Sequence, residues 1–258
     1  MEQARGFSAV ALRRDVLEGA GEIVGRILPQ GRVGLEPLDP FLLLDHFRMR
    51  AGGPGFPEHP HRGFEILTLT LKGWGRHRDN FGNDAEIGEG GLMRLTSGRG
   101  MRHSESVGSS DGGDAEGLQF WVNLPKALKG LAPSFQKVEA RDFPVESLAG
   151  SKGSATILVG PGSPVEVRTP MEYLKVVLEK GGKWRRGVPE GWNGFVYVLE
   201  GRARSEGDGK VLAAGEAGVL GKGDCVEIAN AGEERLELLA AWGRPHGEPV
   251  LWNGPFVD

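Results

Sequence analysis

Residues 64–73 read FEILTLTLKG, and along them apolar and polar side chains alternate. Successive side chains of a strand point to opposite faces, so i, i+2 and i+4 share one. Leu67, Leu69 and Leu71 therefore line one face, and the same parity carried backwards puts Glu65, His61 and His59 with them. Arg62, Thr68, Thr70 and Lys72 fall on the other, polar face. The imidazoles are thus expected on the core side, where a polar group without a partner is costly. His103 and Glu105 repeat the i, i+2 spacing on a second segment. Leu118, Phe120, Val122 and Leu124 alternate with Gln119, Trp121 and Asn123, which predicts a strand with one core face, ended by Pro125. Phe41–Leu44, an apolar run between Pro40 and Asp45, predicts a short buried strand. His46, just beyond it, reads as a loop histidine near the core rather than a ligand.

Elsewhere the pattern is one of short elements and frequent breakers. Residues 8–28 read as strands or connectors. Turns are predicted at Asn80–Asn83, Gly88–Gly91 and Gly98–Gly100. Past Pro125 the chain is irregular, and strands are then predicted near residues 155–159, 172–178, 194–199, 211–213, 218–220, 225–229 and 236–241. The halves overlay weakly: FVYVLEG at 195–201 matches LTLTLKG at 67–73, and GEAGVL at 215–220 matches GEGGLM at 88–93. Such self-similarity predicts two copies of one β-unit. The expected division is a first unit at 1–130, a connector at 131–153 and a second unit at 154–258. In this register Gly187 and Pro189 replace His59 and His61, and no histidine lies between Gln136 and Gly243. Only the first copy can carry the histidine site.

Composition agrees with an all-β class, since 43 glycines and 16 prolines without a repeat period suit many tight turns. A formal net charge of −4 gives no basic footprint for nucleic acid or an anionic membrane. No run of about 18 apolar residues and no basic segment with an apolar follow-on occurs, so a cytoplasmic location is expected. The single cysteine, Cys225, excludes an internal disulfide and reads as a small buried hydrophobe.

Three imidazoles and at least one carboxylate converging inside a β-fold point to a metal site rather than to a hydrogen-bonded polar cluster. Nitrogen and oxygen donors with open positions suit iron(II), and also Mn, Co, Ni or Cu, whereas structural zinc sites are closed and rich in cysteine. Other candidates read more plainly. His77 is taken as solvated or at a strand edge and His246 as structural. The tryptophans, Trp74, Trp121 and Trp242 among them, are taken as packing groups. Arg62 and Arg99 could hold a substrate anion but read equally as surface and turn residues.

The arrangement Gly53-x5-His59-x-His61-x3-Glu65, followed by Gly100-x2-His103, resembles the two motifs of the cupin superfamily, with spacings about one residue off the general pattern. More narrowly, DPFLLLDHF (39–47), HPHRGFE (59–65), HRDNFGN (77–83), TSGRGMRHSE (96–105), EGWNGFVYVLEG (190–201) and GRPHGEPVLWNGPFV (243–257) resemble the pirin family. The resemblance implies two tandem jelly-roll-like barrels in one bicupin chain. It implies one divalent transition metal, iron(II) first and Mn, Co, Ni, Cu or Zn as alternatives, bound by His59, His61, His103 and Glu105, with Glu65 a neighbour. It further implies a quercetin 2,3-dioxygenase-like oxidoreductase that opens a flavonol with O2 and releases CO, Glu105 acting as the base. The alternative it carries is a non-catalytic iron-binding regulator working through protein partners, because the mammalian member is a nuclear co-regulator of transcription. A monomer is expected. The chain stops at Asp258, where such relatives usually continue.

Overall fold

Strands account for nearly all the regular structure in the computed structural model, which describes residues 3–29, 33–148 and 152–258. Three single-turn 3-10 segments, Glu36–Leu38, Lys126–Leu128 and Ala140–Asp142, are the helical elements among those residues. The strands form two barrels, each from one seven-stranded and one four-stranded antiparallel sheet. In the first barrel the large sheet runs in the order Ser134–Val138, Leu92–Thr96, Phe64–Lys72, Asp114–Asn123, Phe41–Arg50, Glu22–Leu28 and Arg14–Glu18. Its small sheet is Phe56–His61, Met101–Gly108, Trp74–Asp79 and Asp84–Gly88. The second barrel repeats this plan. Its large sheet runs Phe7–Leu12, Glu216–Leu220, Asn193–Glu200, Leu236–Gly243, Met171–Leu178, Gly153–Val159 and Val145–Ser147.

One edge strand crosses to the other barrel and the connector supplies two more, which departs from the expected division of the chain. Phe7–Leu12, counted with the first unit, pairs with Glu216–Leu220 of the second. Ser134–Val138, counted as connector, pairs with Leu92–Thr96 of the first, and Val145–Ser147 pairs with Gly153–Val159 of the second. Capping an edge with a strand from the other half hides backbone donors and acceptors that would otherwise invite foreign pairing.

Between the large sheets lies a shared apolar layer. Leu44, Leu67, Leu69, Leu118 and Phe120 of the first barrel meet Tyr173, Phe195, Tyr197 and Leu239 of the second. Phe120 packs edge-on against Phe195 with ring centroids 5.4 Å apart, and Phe41 does the same at 5.6 Å. Each fully buried side chain of this size contributes on the order of 1.5–3 kcal/mol. His46 is not a loop residue. It sits in the ten-residue strand Phe41–Arg50, buried, with Nδ1 2.7 Å from the Tyr197 hydroxyl and Nε2 2.7 Å from Glu116 Oε1. It joins the barrels.

This layer inverts the expected faces. Leu67 and Leu69 look towards the second barrel, while Phe64 and Ile66 belong to a cluster with Leu95 and Met101 at the mouth of the first. Thr68 and Thr70, expected on a polar face, are buried. The parity count fails at Gly63, which joins Phe56–His61 to Phe64–Lys72 with φ +91°. An L side chain there would be strained, and its Cβ would lie 1.8 Å from the Val257 carbonyl oxygen. The chain turns at Gly63 and passes from the small sheet to the large one. Glu65 therefore shares a face with Leu67 but not with His61.

Candidate metal centre

His59 and His61 end the strand Phe56–His61, and His103 lies on its neighbour, Met101–Gly108. The antiparallel register sets His103 opposite His59 and Met101 opposite His61. It shifts by one residue between His103 and Glu105, opposite Pro57 and Glu58. Pro57 has no N–H to give to the ladder, so a bulge here costs little, and bulges re-aim side chains. The freed Pro57 carbonyl accepts from His59 Nδ1 at 2.8 Å. That leaves His59 Nε2 as a bare acceptor.

The three rings converge. Their centroids lie 4.7 Å (His59–His61), 4.4 Å (His59–His103) and 5.0 Å (His61–His103) apart. One ring nitrogen from each lies within 4.8 Å of the others. Buried side-chain polar atoms nearly always have partners. Yet neither ring nitrogen of His61, nor Nε2 of His103, makes a hydrogen bond. Burial and then the neighbouring His59 push the His61 imidazole down to about 3, and the Pro255 carbonyl nearby offsets this only in small part, without a hydrogen bond of proper geometry. Burial, followed by the other histidines, also holds His103 well below its ordinary value. Both rings are neutral near pH 7. Three converging imidazoles, two of them held neutral by burial, each with a ring nitrogen that no protein group engages, are the donor set of a divalent metal centre.

Glu105 is outside this tight group but lines the same cavity. Trp121 Nε1 donates to Gln119 Oε1 at 3.0 Å, and Gln119 Nε2 donates to Glu105 Oε2 at 2.9 Å. The tryptophan thus fixes the orientation of the amide, and the amide steadies the carboxylate. Glu65 is elsewhere. Its Oε1 accepts from Thr96 Oγ1 at 2.7 Å and its Oε2 from the Arg168 backbone N–H at 2.8 Å, deep in the layer between the barrels. Burial raises its carboxyl despite these bonds.

Three residues read as bland from the sequence belong to the site. Trp121, taken as packing, stands 5.0 Å from the His61 ring and stacks on Phe64 at 4.3 Å. Gln119 lies on what looked like the outer face of its strand. His77, taken as solvated, is fully buried beside His103. The last residues of the described chain complete the cavity. Trp252, Gly254 and Pro255 form one wall, held by the Arg62–Asp258 ion pair and by Lys129 Nζ, which donates to the Val257 and Gly63 carbonyls. The cavity measures about 650 Å³. In the second barrel the equivalent strand Lys183–Gly187 directs Trp184 into an apolar core with Val226 and Ile228.

A family profile described as Pirin matches residues 24–122, and one described as Pirin C-terminal cupin domain matches 173–258. A pirin-like protein of tomato, Solanum lycopersicum, is 39% identical over 251 residues, spanning 95% of this chain and 84% of its own length. The chain belongs to the pirin family. Pirin of the mouse, Mus musculus, is 36% identical over 267 residues, spanning 100% of this chain and 89% of its own. A crystal structure of a quercetin 2,3-dioxygenase from Acinetobacter baumannii superposes with a TM-score of 0.88 at 29% identity, covering 98% of this chain and 92% of that one. Within the pirin plan of two cupin barrels, the three-histidine cluster lies in the first. No helix among the described residues is long and apolar enough to cross a membrane.

Proposed function

We propose that this pirin-family chain is a metal-dependent dioxygenase that opens a polyhydroxylated aromatic of the quercetin type with O2 and releases CO. The observation that carries the reading is the three-histidine cluster, two of whose members, His59 and His61, line a cavity of about 650 Å³, the volume range of small-molecule sites. His59, His61 and His103 would hold the metal, with Glu105 as a fourth donor and iron(II) as the first choice. Such a metal supplies a Lewis acid for a phenolic hydroxyl and the redox partner that O2 needs to react with a closed-shell aromatic.

The residues around it suit that substrate. Gln119 donates to Oε2 of Glu105, and in this reading Oε1 would take the proton from a substrate hydroxyl. Trp121 and Trp252 line the cavity 5.9 Å apart and offer flat apolar faces to an aromatic ring. Glu18, Asp45 and Glu58 also line the cavity, Glu18 and Asp45 paired with Arg26 and Glu58 with Arg102. Four lining carboxylates, Glu105 included, against one lining guanidinium disfavour an anionic ligand. The superposition on the Acinetobacter baumannii enzyme supports the same substrate class.

The test is anaerobic mixing of quercetin with metal-loaded protein, followed by admission of O2. The reading expects a shift of the flavonol absorption band before O2 and CO release after it. Glu105→Gln should slow turnover by roughly 10²-fold or more. Full turnover in that variant, with its metal retained, would remove Glu105 from the role of base.

A further inference from the structure

Behind His103 lies a chain of buried groups that the ligand set does not require. His103 Nδ1 is 3.3 Å from His77 Nδ1, and His77 Nε2 is 3.0 Å from Asp79 Oδ2. The register of the strand Trp74–Asp79 on Met101–Gly108 makes this contact, with Asp79 opposite His103 and His77 opposite Glu105. His77 is wholly buried, and its ring lies flat on Phe135, 4.6 Å away with the planes 5° apart. Asp79 is clamped in turn by the Phe81 and Asn83 backbone N–H groups and by Asn83 Nδ2 at 2.8–3.1 Å. Although burial pushes its carboxyl up, these bonds and the one from His77 outweigh it and keep Asp79 ionised.

With both imidazoles in their neutral form, hydrogen-bond chemistry then assigns each proton in the row. A carboxylate only accepts, so His77 carries its proton on Nε2 and leaves Nδ1 bare. A bare Nδ1 facing another Nδ1 requires the second to donate, so His103 carries its proton on Nδ1. Its Nε2, which is buried and makes no hydrogen bond, is then a lone pair. Resting on the reading of the three imidazoles as a metal centre, we propose that His77, backed by Asp79, is the positioning residue that sets the tautomer of His103 and so presents Nε2 to the metal. Partners of this kind orient a metal-binding histidine and raise its basicity, and their loss typically weakens metal binding by about 10–100-fold.

The first experiment needs no metal. In metal-free wild-type protein labelled with 15N-histidine, long-range 15N–1H correlation at neutral pH should show His103 protonated on Nδ1 and His77 on Nε2. A His103 protonated on Nε2 would overturn the proposal. The second experiment uses cobalt(II) in competition with a chromogenic chelator. His77→Phe preserves the stack on Phe135 but removes the acceptor, and should bind cobalt(II) about 10–100-fold more weakly than wild type. His77→Gln restores an acceptor for His103 Nδ1 and should recover most of that loss. Equal affinities in all three proteins would overturn the relay and leave the metal centre standing. A wild type that binds no metal would sink the metal centre instead, and the His103 tautomer would still decide the relay.

Discussion

Acidifying the metal-free protein should destabilise it through His61, and the size of the effect follows from its surroundings. The ring is 3% exposed, lacks a hydrogen-bond partner and is held to about 3 by burial and by His59. In the unfolded chain the same ring takes a proton near pH 6.5, its ordinary value. Below that pH the unfolded state binds a proton that the folded state refuses until about 3. The stabilisation is therefore complete above the unfolded value and is lost as pH falls. Each unit costs about 1.4 kcal/mol, so a drop from pH 6.5 to about 5 removes ~2 kcal/mol through His61 alone. His103 acts in the same direction. The assay is urea unfolding of wild type and His61→Gln across that range, with metal stripped from both. Wild type should lose about 2 kcal/mol more than the variant. Equal losses would refute the claim that His61 is buried and neutral.

Three further outcomes test other parts of the account. Gly63→Ala should cost at least ~2 kcal/mol, seen as a lower Tm, because it strains a positive φ and drives a methyl group into the Val257 carbonyl. Glu65→Gln should cost about 1–2 kcal/mol by replacing one of the two oxygens that accept from Thr96 and the Arg168 N–H with a donor, yet leave metal content by elemental analysis unchanged. Trp252→Ala should weaken binding of an aromatic ligand roughly 5–10-fold in a fluorescence titration, from the loss of one stacking wall, again at constant metal content.

Much of the strand content was legible in the sequence, because alternation and glycine-rich turns are local signals. Strands predicted at 172–178, 194–199 and 236–241 are found at Met171–Leu178, Asn193–Glu200 and Leu236–Gly243. The repeat was legible too, since FVYVLEG and LTLTLKG sit on equivalent strands of the two large sheets. What alternation does not encode is which face looks into a barrel. When two barrels pack together, the outer face of each large sheet is as apolar as a core. Leu118, Phe120 and Val122 therefore took the part of the barrel interior, and Gln119 and Trp121 looked peripheral although they line the site. Extending strand parity across Gly63 placed Glu65 with His61 for the same reason: a change of sheet leaves no mark in the hydrophobic pattern. His77 was misread because its value lies in partners 2 and 26 residues away, Asp79 and His103. One local hint was present, the HRD of 77–79, which sets His77 and Asp79 on one face of a strand.

The most direct test is metal stoichiometry of wild type and His61→Ala, with quercetin-dependent O2 uptake measured on the same samples. The account predicts close to one transition-metal ion per wild-type chain, O2 uptake that begins on adding quercetin, and loss of both in the variant. A wild type that takes up no metal after reloading, or a variant that retains both metal and uptake, would contradict it.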